Sequence, residues 1–455
     1  MDLPNPQKID TDITRHYRRL GPNKRRELTR LVFEIAKREG RDYQNIIDGY
    51  KSGFENFHAL RQALIQRRFP SLTKEETAAC KDFSQLSLDA RQQARLPVKF
   101  QLGVENIFVE KSVAHSELAQ RCRKRFADAR VKIIPSYREY IRGRHFDLID
   151  YNRRIENLFI VRQGARYFQP CPCTKGAVGC GYQIFNLGRG CGYECVYCHL
   201  QGYVNSPGIV LPANIDDFFM AFGSAVHHRR LGTGEFTDSL LFDDLTNYAS
   251  TIIEFMRRHP QTLFEFKTKS VNISGLLKTD APANVIAAWS LNPNAVARHC
   301  EYLAPPVEER LAAAQRCVRA GYRVAFHFDP IIHYPGWEKD YYPLTERLLS
   351  DIPHAAIAWI SLGALRMMPR LKNVIEKRFP NNQILDGELI PGFDHKLRYP
   401  FGLRLEIFRK MLAWLKPLNK ITTVYLCMED LRMHRALMMC APNFKKAFAN
   451  PETQG

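Results

Sequence analysis

Three cysteines in one short stretch, Gly188-Arg-Gly-Cys-Gly-Tyr-Glu-Cys-Val-Tyr-Cys-His-Leu-Gln201, offer the most specific chemistry in this chain. Cys191, Cys195 and Cys198 are spaced C-x-x-x-C-x-x-C. Thiolates are the soft ligands that hold iron-sulfur clusters, and a cluster held by protein alone takes four of them. Three in one tight loop leave one iron open to another molecule. A structural zinc site needs four ligands, usually in paired knuckles, and the nearest fourth donor, His199, follows Cys198 too closely for easy tetrahedral closure. The spacing therefore points to a 4Fe-4S cluster with Cys191, Cys195 and Cys198 as its protein ligands. Disulfides are not expected among the twelve cysteines. The start, Met1-Asp-Leu-Pro-Asn-Pro-Gln-Lys-Ile-Asp10, is polar and acidic where a secretory signal is basic and then apolar. No apolar run approaches the ~18 residues of a membrane span. A reducing cytoplasmic setting and no membrane partner are the expectations.

With 455 residues, 45% hydrophobic and 25% charged, the chain can bury a large core in two or three domains. Lys and Arg number 66 against 47 Asp and Glu, a formal charge of +19. A positive field of that size favours a polyanionic partner, with nucleic acid the obvious class, although a solvated basic surface produces the same count.

The elements that must position the cysteines read as follows. Residues 1–100 form a helical accessory module. Lys24 to Arg38 sets Leu28, Leu31, Val32 and Ile35 on one face with Gly40 as a stop, and a second helix runs from about Phe54 to Arg68. Residues 101–165 form a small β-α-β domain. Its strands are Asn106 to Glu110 and Val131 to Ile134, and Ser116 caps a helix on which Arg121, Arg123, Lys124 and Arg125 crowd. Such a helix could lie along a phosphate backbone or simply present a solvated face. Residues 166–435 alternate strand and helix, which argues an α/β fold built as a partial (β/α) barrel, with 436–455 as a C-terminal tail. Its strands are expected at Tyr182 to Leu187, His228 to Leu231, Leu263 to Lys267, Val285 to Leu291, Arg323 to Phe328, Ile357 to Leu362 and Thr422 to Leu426, with a helix from Glu308 to Ala320 between two of them. A site on such a barrel lies at the carboxyl ends of the strands.

Several patches in order give the chain a family resemblance. They are Cys180-Gly-Tyr-Gln-Ile-Phe-Asn-Leu187, the cysteine loop with Tyr197 before its last cysteine, Thr233-Gly-Glu-Phe-Thr-Asp238, Phe266-Lys-Thr-Lys269, Trp289-Ser-Leu-Asn-Pro293, Ala320-Gly-Tyr322 running to Pro330, and Gly336-Trp-Glu338. Together, from about Glu105 to about Glu429, the chain resembles the spore photoproduct lyase family of radical S-adenosylmethionine enzymes, as a divergent, non-spore type. The resemblance implies a lyase of DNA repair in which S-adenosyl-L-methionine chelates the open iron. A 5′-deoxyadenosyl radical then abstracts hydrogen from a nucleic-acid base. It also implies DNA more than RNA as partner, and an electron donor such as flavodoxin or ferredoxin. A radical enzyme acting on RNA, a nucleotide or a peptide, or a non-catalytic iron-sulfur nucleic-acid-binding protein, would share these motifs. Intact Lys269, Ser290 and loop cysteines favour an enzyme over that binder.

By the same resemblance, Tyr197, Gly234, Thr237, Asp238, Lys269, Ser290 and Asn292 fall where the family holds its cofactor. A zwitterionic cofactor asks for such a cation and such hydroxyl and amide donors. Asn292-Pro293 also reads as a plain turn. One departure stands out. Aligning Thr237-Asp238 with the family's Ser-Asp puts Glu235 where the lyase has its hydrogen-returning cysteine, and His199 replaces a tyrosine after the cluster. Glu235 can alternatively hold the cofactor's amino group. Cys427, at the end of the last strand, is a candidate replacement donor or a buried core thiol. His327 and Asp329 alternate on one strand face, with His333 just after, as a polar wall, a proton-transfer group or candidate metal ligands. Cys171, Cys173 and Cys180 are candidates for a second cluster or are metal-free thiols.

Overall fold

The computed structural model describes residues 4–50, 56–79, 103–203, 206–224, 230–418 and 422–440. The expected helix start at Phe54, the expected strand start at His228 and most of the expected 436–455 tail lie outside these. The chain falls into two compact units, Met1–Pro97 with Ala364–Ile407, and Val98–Gly363 with Phe408–Gly455.

The first unit is a helical core. Asn5 caps the helix Pro6–His16 by accepting from the Gln7 and Lys8 amides. Gly40, in the left-handed region at φ 61°, ends the helix Pro22–Glu39. The expected face of Leu28, Leu31, Val32 and Ile35 is buried with Ile9, Ile13, Ile46, Leu60 and Leu64 in one cluster. The sequence reading placed residues 364–407 in the barrel, but they pack within this helical unit instead. The reason is electrostatic. Helix Pro369–Arg378 delivers Lys372 Nζ to Glu34 Oε1 at 2.5 Å and Glu376 to Arg30 at 2.5 Å. Arg68 completes the network, with Nε 2.8 Å from Glu34 and Nη2 donating to the Leu385 and Gly387 carbonyls. Periodicity along a chain carries no sign of such long-range pairing.

The second unit holds two sheets. The expected β-α-β pair, Asn106–Glu110 and Arg130–Ile134, is present, and Ser116 caps the helix Glu117–Arg125 through the Ala119 amide. It does not stand as a separate 101–165 domain. Strands Asn157–Val161 and Ile209–Pro212, which the sequence reading missed, extend it to four parallel strands in the order second, first, third, fourth. The larger sheet has eight strands. From one edge they are Thr423–Leu426, Ile357–Ala364, Arg323–Ile331, Val285–Ser290, Leu263–Thr268, Arg230–Thr233, Gln183–Phe185 and Phe168–Pro170. Its pairings from Gln183–Phe185 to Arg323–Ile331 are parallel, and Phe168–Pro170 pairs antiparallel at the far edge. Every residue of Val285–Ser290 and Ile357–Ala364 is buried, as strands covered on both faces require. This is the partial barrel expected. The gap between its outer strands is bridged by the loop before Gln183, where Val178 donates to the Glu429 carbonyl at 2.9 Å and Ala177 bridges Asp430.

The Glu34 network generates a prediction. Glu34→Ala strands Lys372, Arg30 and Arg68 in the interior with one remaining carboxylate partner, Glu376. Removing one partner of a buried ion pair costs about 3–5 kcal/mol. Urea unfolding followed by far-ultraviolet circular dichroism is expected to show a loss of that size.

Candidate active site at the cysteine loop

The cysteine loop leaves strand Gln183–Phe185 through a backbone path that only glycine follows easily. Gly188 has φ 139° and a side chain there would meet the Val210 carbonyl at 3.0 Å. Gly190 has φ 85° and its amide donates to the Phe236 carbonyl at 2.8 Å. Between them Arg189 exchanges backbone hydrogen bonds with Val210 at 3.0 and 2.8 Å. The middle of the loop is then clamped from two sides. Glu194–Cys195 pairs antiparallel with Glu301–Tyr302, and Val196 donates to the Cys300 carbonyl at 2.8 Å. On the other side the buried Arg154 donates to the Cys191 and Tyr193 carbonyls at 3.2 and 2.9 Å and pairs with Glu194 at 2.5 Å.

The three thiols sit in one clamped loop, and each thiolate of a cubane binds a different iron. Among the described residues no three His, Cys, Asp or Glu side chains are placed as ligands to one metal ion. Burial pushes the Cys191 thiol up to about 12 and raises Cys195 and Cys198, while Lys269 and Arg154 act in the opposite direction, Lys269 on Cys195 and both on Cys198. A metal binds the thiolate form, and these fixed cations favour that form.

A buried ion pair underlies the loop. Glu301 pairs with Arg310 at 2.6 Å, and both side chains are fully buried. Glu301 also accepts from the Tyr197 hydroxyl and, at 2.9 Å, from Asn292 Nδ2. Asn292 Oδ1 in turn accepts from Tyr341 at 2.7 Å, and Arg310 donates to the Ser290 carbonyl at 3.1 Å. Burial opposes the Glu301 carboxylate, but Arg310, Lys269, Tyr197 and Asn292 bring it down to about 2. The sequence reading missed Glu301, Arg310, Arg154 and Tyr341, since no local pattern marks an isolated Glu or Arg as buried.

The expected cofactor residues divide between those already engaged and those facing the loop. Tyr197 and Asn292 are occupied by Glu301. Asp238 accepts from the Leu240 and Leu241 amides at 3.0 Å, Thr268 Oγ1 at 2.6 Å and the Lys269 amide at 2.7 Å, so its carboxylate ties two strand ends together. Thr237 Oγ1 is buried without a hydrogen-bond partner. It borders a void of 20 Å³, room for about one water. Gly234, at φ 101°, lies so close to Lys267 that a Cβ would meet its carbonyl at 2.4 Å. Ser290 is buried at a strand end. Lys269 holds its ammonium 5.6 Å over the Tyr197 ring, beside Cys195 and Cys198.

The barrel interior is polar. His327 Nε2 lies 2.5 Å from Glu265, which also accepts from Trp359 Nε1 at 3.2 Å and pairs with Arg230 at 3.3 Å. Burial raises the Glu265 pKa, but His327 and Arg230 outweigh it and hold the group at about 2. Burial pulls His327 down, with Glu265 only partly offsetting it. Nearer the loop, Lys267 lies in the field of Asp329, Glu235 and Cys427, which together outweigh its burial and raise it. Glu235 Oε1 is 3.8 Å from His199. Cys171 is hydrogen-bonded to Cys173, and that bond together with burial and the charge of Glu235 keeps it a thiol. Glu235, Asp329 and Cys427 thus act on the Lys267 ammonium, and Glu235 and Cys427 on the Cys171 thiol, while His327 is committed to Glu265. Cys171, Cys173 and Cys180 do not converge as ligands to one ion.

The four basic residues of the helix Glu117–Arg125 are not alike, for Lys124 and Arg125 are exposed. Arg121 is turned inward, donating to the Leu245 and Thr246 carbonyls at 2.6 and 3.1 Å and pairing with Glu117 at 2.9 Å. Its neighbour Arg123 has a buried Nε. The helix spends part of its charge on capping an adjacent turn.

The family model for spore photoproduct lyase matches residues 147–389. The chain belongs to the spore photoproduct lyase family, a family of radical S-adenosylmethionine lyases. It is 24% identical over 241 residues to the spore photoproduct lyase of Clostridium acetobutylicum, covering 52% of this chain and 68% of that one. Against the Bacillus subtilis enzyme it is 28% identical over 225 residues, covering 47% and 63%. A solved spore photoproduct lyase complexed with dinucleoside spore photoproduct superposes with a TM-score of 0.61 at 22% identity, over 72% of this chain and 99% of that one. A mutant of the lyase with bound AdoMet and dinucleoside spore photoproduct gives 0.60 at 22% identity, over 72% and 100%. These superpositions establish that the partial barrel is the family's fold.

Glu265 supplies a pH-resolved prediction. Glu265→Gln leaves Arg230 buried without its carboxylate and is expected to cost about 3 kcal/mol at pH 7. A carboxylate held at about 2 contributes stability above its ordinary 4.5 and loses it as pH falls from there toward 2. The gap in unfolding free energy between wild type and Glu265→Gln should therefore close across that window, as measured by urea titration at each pH.

Proposed function

We propose that this chain is a radical S-adenosylmethionine enzyme that acts on a crosslinked or otherwise damaged base of DNA. The carrying observation is the clamped three-cysteine loop at the open end of a polar partial barrel, in a chain of the spore photoproduct lyase family. Cys191, Cys195 and Cys198 would hold a 4Fe-4S cluster, and a cofactor on its open iron would lie against Lys269, Gly234, Ser290 and Thr237. When bound, the two groups supply one-electron cleavage of the sulfonium and with it hydrogen-atom abstraction. The chain's own residues do the rest. Lys269 would meet the cofactor's carboxylate, and Asp238 fixes the turn that carries Lys269 by accepting from its amide. Glu301, through Tyr197 and Asn292, keeps the loop and the strand ends in one geometry. Such positioning, with exclusion of water, is what a protein adds to cofactor chemistry. The electron would come from a small one-electron carrier such as flavodoxin or ferredoxin.

Glu235 shapes the substrate assignment. A carboxyl O–H resists homolysis, so a product radical facing Glu235 needs another donor. Cys427 acts on Lys267, Glu235 and Cys427 act on Cys171, and Cys171 keeps its S–H. We assign hydrogen return to this thiol group, Cys427 first, with the thiyl radical it leaves restored to a thiol by one electron from the carrier and one proton, and a lesion other than the thymine dimer of spores as the preferred substrate. His327 and Asp329 form the polar wall of the pocket.

Three measurements test this reading. Reconstituted, reduced protein should release 5′-deoxyadenosine, and alanine at Cys191, Cys195 or Cys198 should abolish both the cluster's visible absorbance and that release. Lys269→Ala should weaken cofactor binding by about 1.5–3 kcal/mol, the size of a charge-assisted contact. On irradiated DNA under anaerobic conditions, Cys427→Ala should shift products from repaired base toward side products. Clean repair of the spore dimer by wild type, unchanged in Cys427→Ala and Cys171→Ala, would overturn the donor and substrate assignment.

A further inference from the structure

Apart from the cysteine loop's own site, the second unit contains a cleft with the geometry of a ligand site. The four-stranded sheet is entirely parallel and its strands lie in the order second, first, third, fourth. The chain therefore runs to one side of Asn106–Glu110 and then to the other. The carboxyl ends of Asn106–Glu110 and Asn157–Val161 flank the topological switch point, where open α/β sheets hold their ligands. A cavity of 130 Å³ lies there. Its walls include the last residues of three strands, Glu110, Val161 and Pro212, and it is also lined by Arg138, Arg162, Arg189 and Asn186.

The lining is chemically specific. Arg138, Arg162 and Arg189 are exposed at its rim, three guanidiniums against the single carboxylate of Glu110. Arg162 is oriented by Asp217 at 2.8 Å. Glu110 is 6% exposed and tied to the Tyr137 and Arg162 amides at 2.6 and 2.8 Å, so it braces the cleft wall. Asn186 is also 6% exposed, and its Oδ1 is buried with no hydrogen-bond partner, an acceptor waiting for a donor. Guanidinium forks match phosphate oxygens, and an unpaired amide oxygen beside them matches a hydroxyl or amine of the same ligand. The cleft has room for several waters, and so for a phosphate group. Arg189 also belongs to the cysteine loop, two residues before Cys191, so a ligand seated here touches the segment that carries the cluster ligands.

We propose that this cleft binds a backbone phosphate of the nucleic-acid strand, with Arg138, Arg162 and Arg189 as phosphate ligands. The proposal rests on the nucleic-acid reading of the function and adds a strand-anchoring site on the small sheet. It moves phosphate recognition from the helix Glu117–Arg125 to the switch-point cleft.

The test uses full-length protein, a fluorescein-labelled single-stranded oligodeoxynucleotide and its duplex, with thymidine 5′-monophosphate and inorganic phosphate as separate probes. Arg138→Ala with Arg162→Ala should weaken oligonucleotide binding roughly tenfold, and the slope of log affinity against log salt should flatten by about one to two. Arg138→Lys should recover most of the slope, because it keeps the point charge. Unchanged circular dichroism and cluster absorbance would show that the variants fold. If wild type binds DNA and the double variant binds it equally well with the same slope, the cleft assignment is overturned while the proposed function stands. Binding of thymidine 5′-monophosphate or phosphate that is lost in the variant, with DNA binding unaffected, overturns the strand as the source of the phosphate. No DNA binding by wild type at low salt overturns the nucleic-acid reading itself.

Discussion

The buried pair of Glu301 and Arg310 is the contact on which the rest of the site depends. Two fully desolvated charges are tolerable only when their remaining hydrogen-bonding capacity is met. Here the partners that meet it are the parts that must stay in register. Tyr197 comes from the cysteine loop, Asn292 from the end of one barrel strand, and the Ser290 carbonyl from that strand's last residue. The backbone of Glu301 pairs with Cys195 as well. One carboxylate thus couples the loop to the barrel through both its side chain and its main chain. Displacing it would leave Arg310 uncompensated in the interior, so the geometry has few alternatives.

The same logic recurs in the barrel interior. Glu265 joins His327, Trp359 and Arg230, and Arg230 is stacked 4.3 Å over the Trp359 ring with its Nη2 2.9 Å from the Tyr425 hydroxyl. This network links five strands, where an apolar core would leave no water-like surroundings for a polar substrate. A second group joins Lys267 to Asp329, Glu235 and Cys427, whose charges outweigh the lysine's burial. The loop carrying Cys171, Cys173 and Cys180 reaches this region because it spans the gap between the outer strands of the sheet.

Most of the barrel was legible from sequence because parallel strands buried on both faces leave continuous apolar runs, as in Val285–Ser290 and Ile357–Ala364. Asn157–Val161 and Ile209–Pro212 have equally apolar runs but lie far apart in the chain, with the cysteine loop between them, so nothing local assigns them to one sheet with Asn106–Glu110. Basic clusters misled for a related reason. Arg121, Arg123, Lys124 and Arg125 look alike in a one-dimensional reading, yet Arg121 is consumed by the Leu245 and Thr246 carbonyls. Arg138, Arg162 and Arg189 are scattered in sequence and meet only at a switch point.

The amino-acid sequence by itself determined the C-x-x-x-C-x-x-C spacing of Cys191, Cys195 and Cys198, the glycines that let the loop turn, and the ordered motifs that mark the family. Each of these is a local property, because thiol chemistry and left-handed backbone need only neighbouring residues. Tertiary structure alone decided which of the remaining polar residues are spent on architecture and which are left to act. Asp238 and Asn292, named as cofactor contacts, have their hydrogen bonds taken up within the protein. Residues 364–407 join the N-terminal helices through Lys372 and Glu34. Glu301, Arg310 and Arg154 emerge as the frame of the site. Whether a charge is buried, and beside what, depends on residues distant in sequence, and its energy depends on burial more than on its identity.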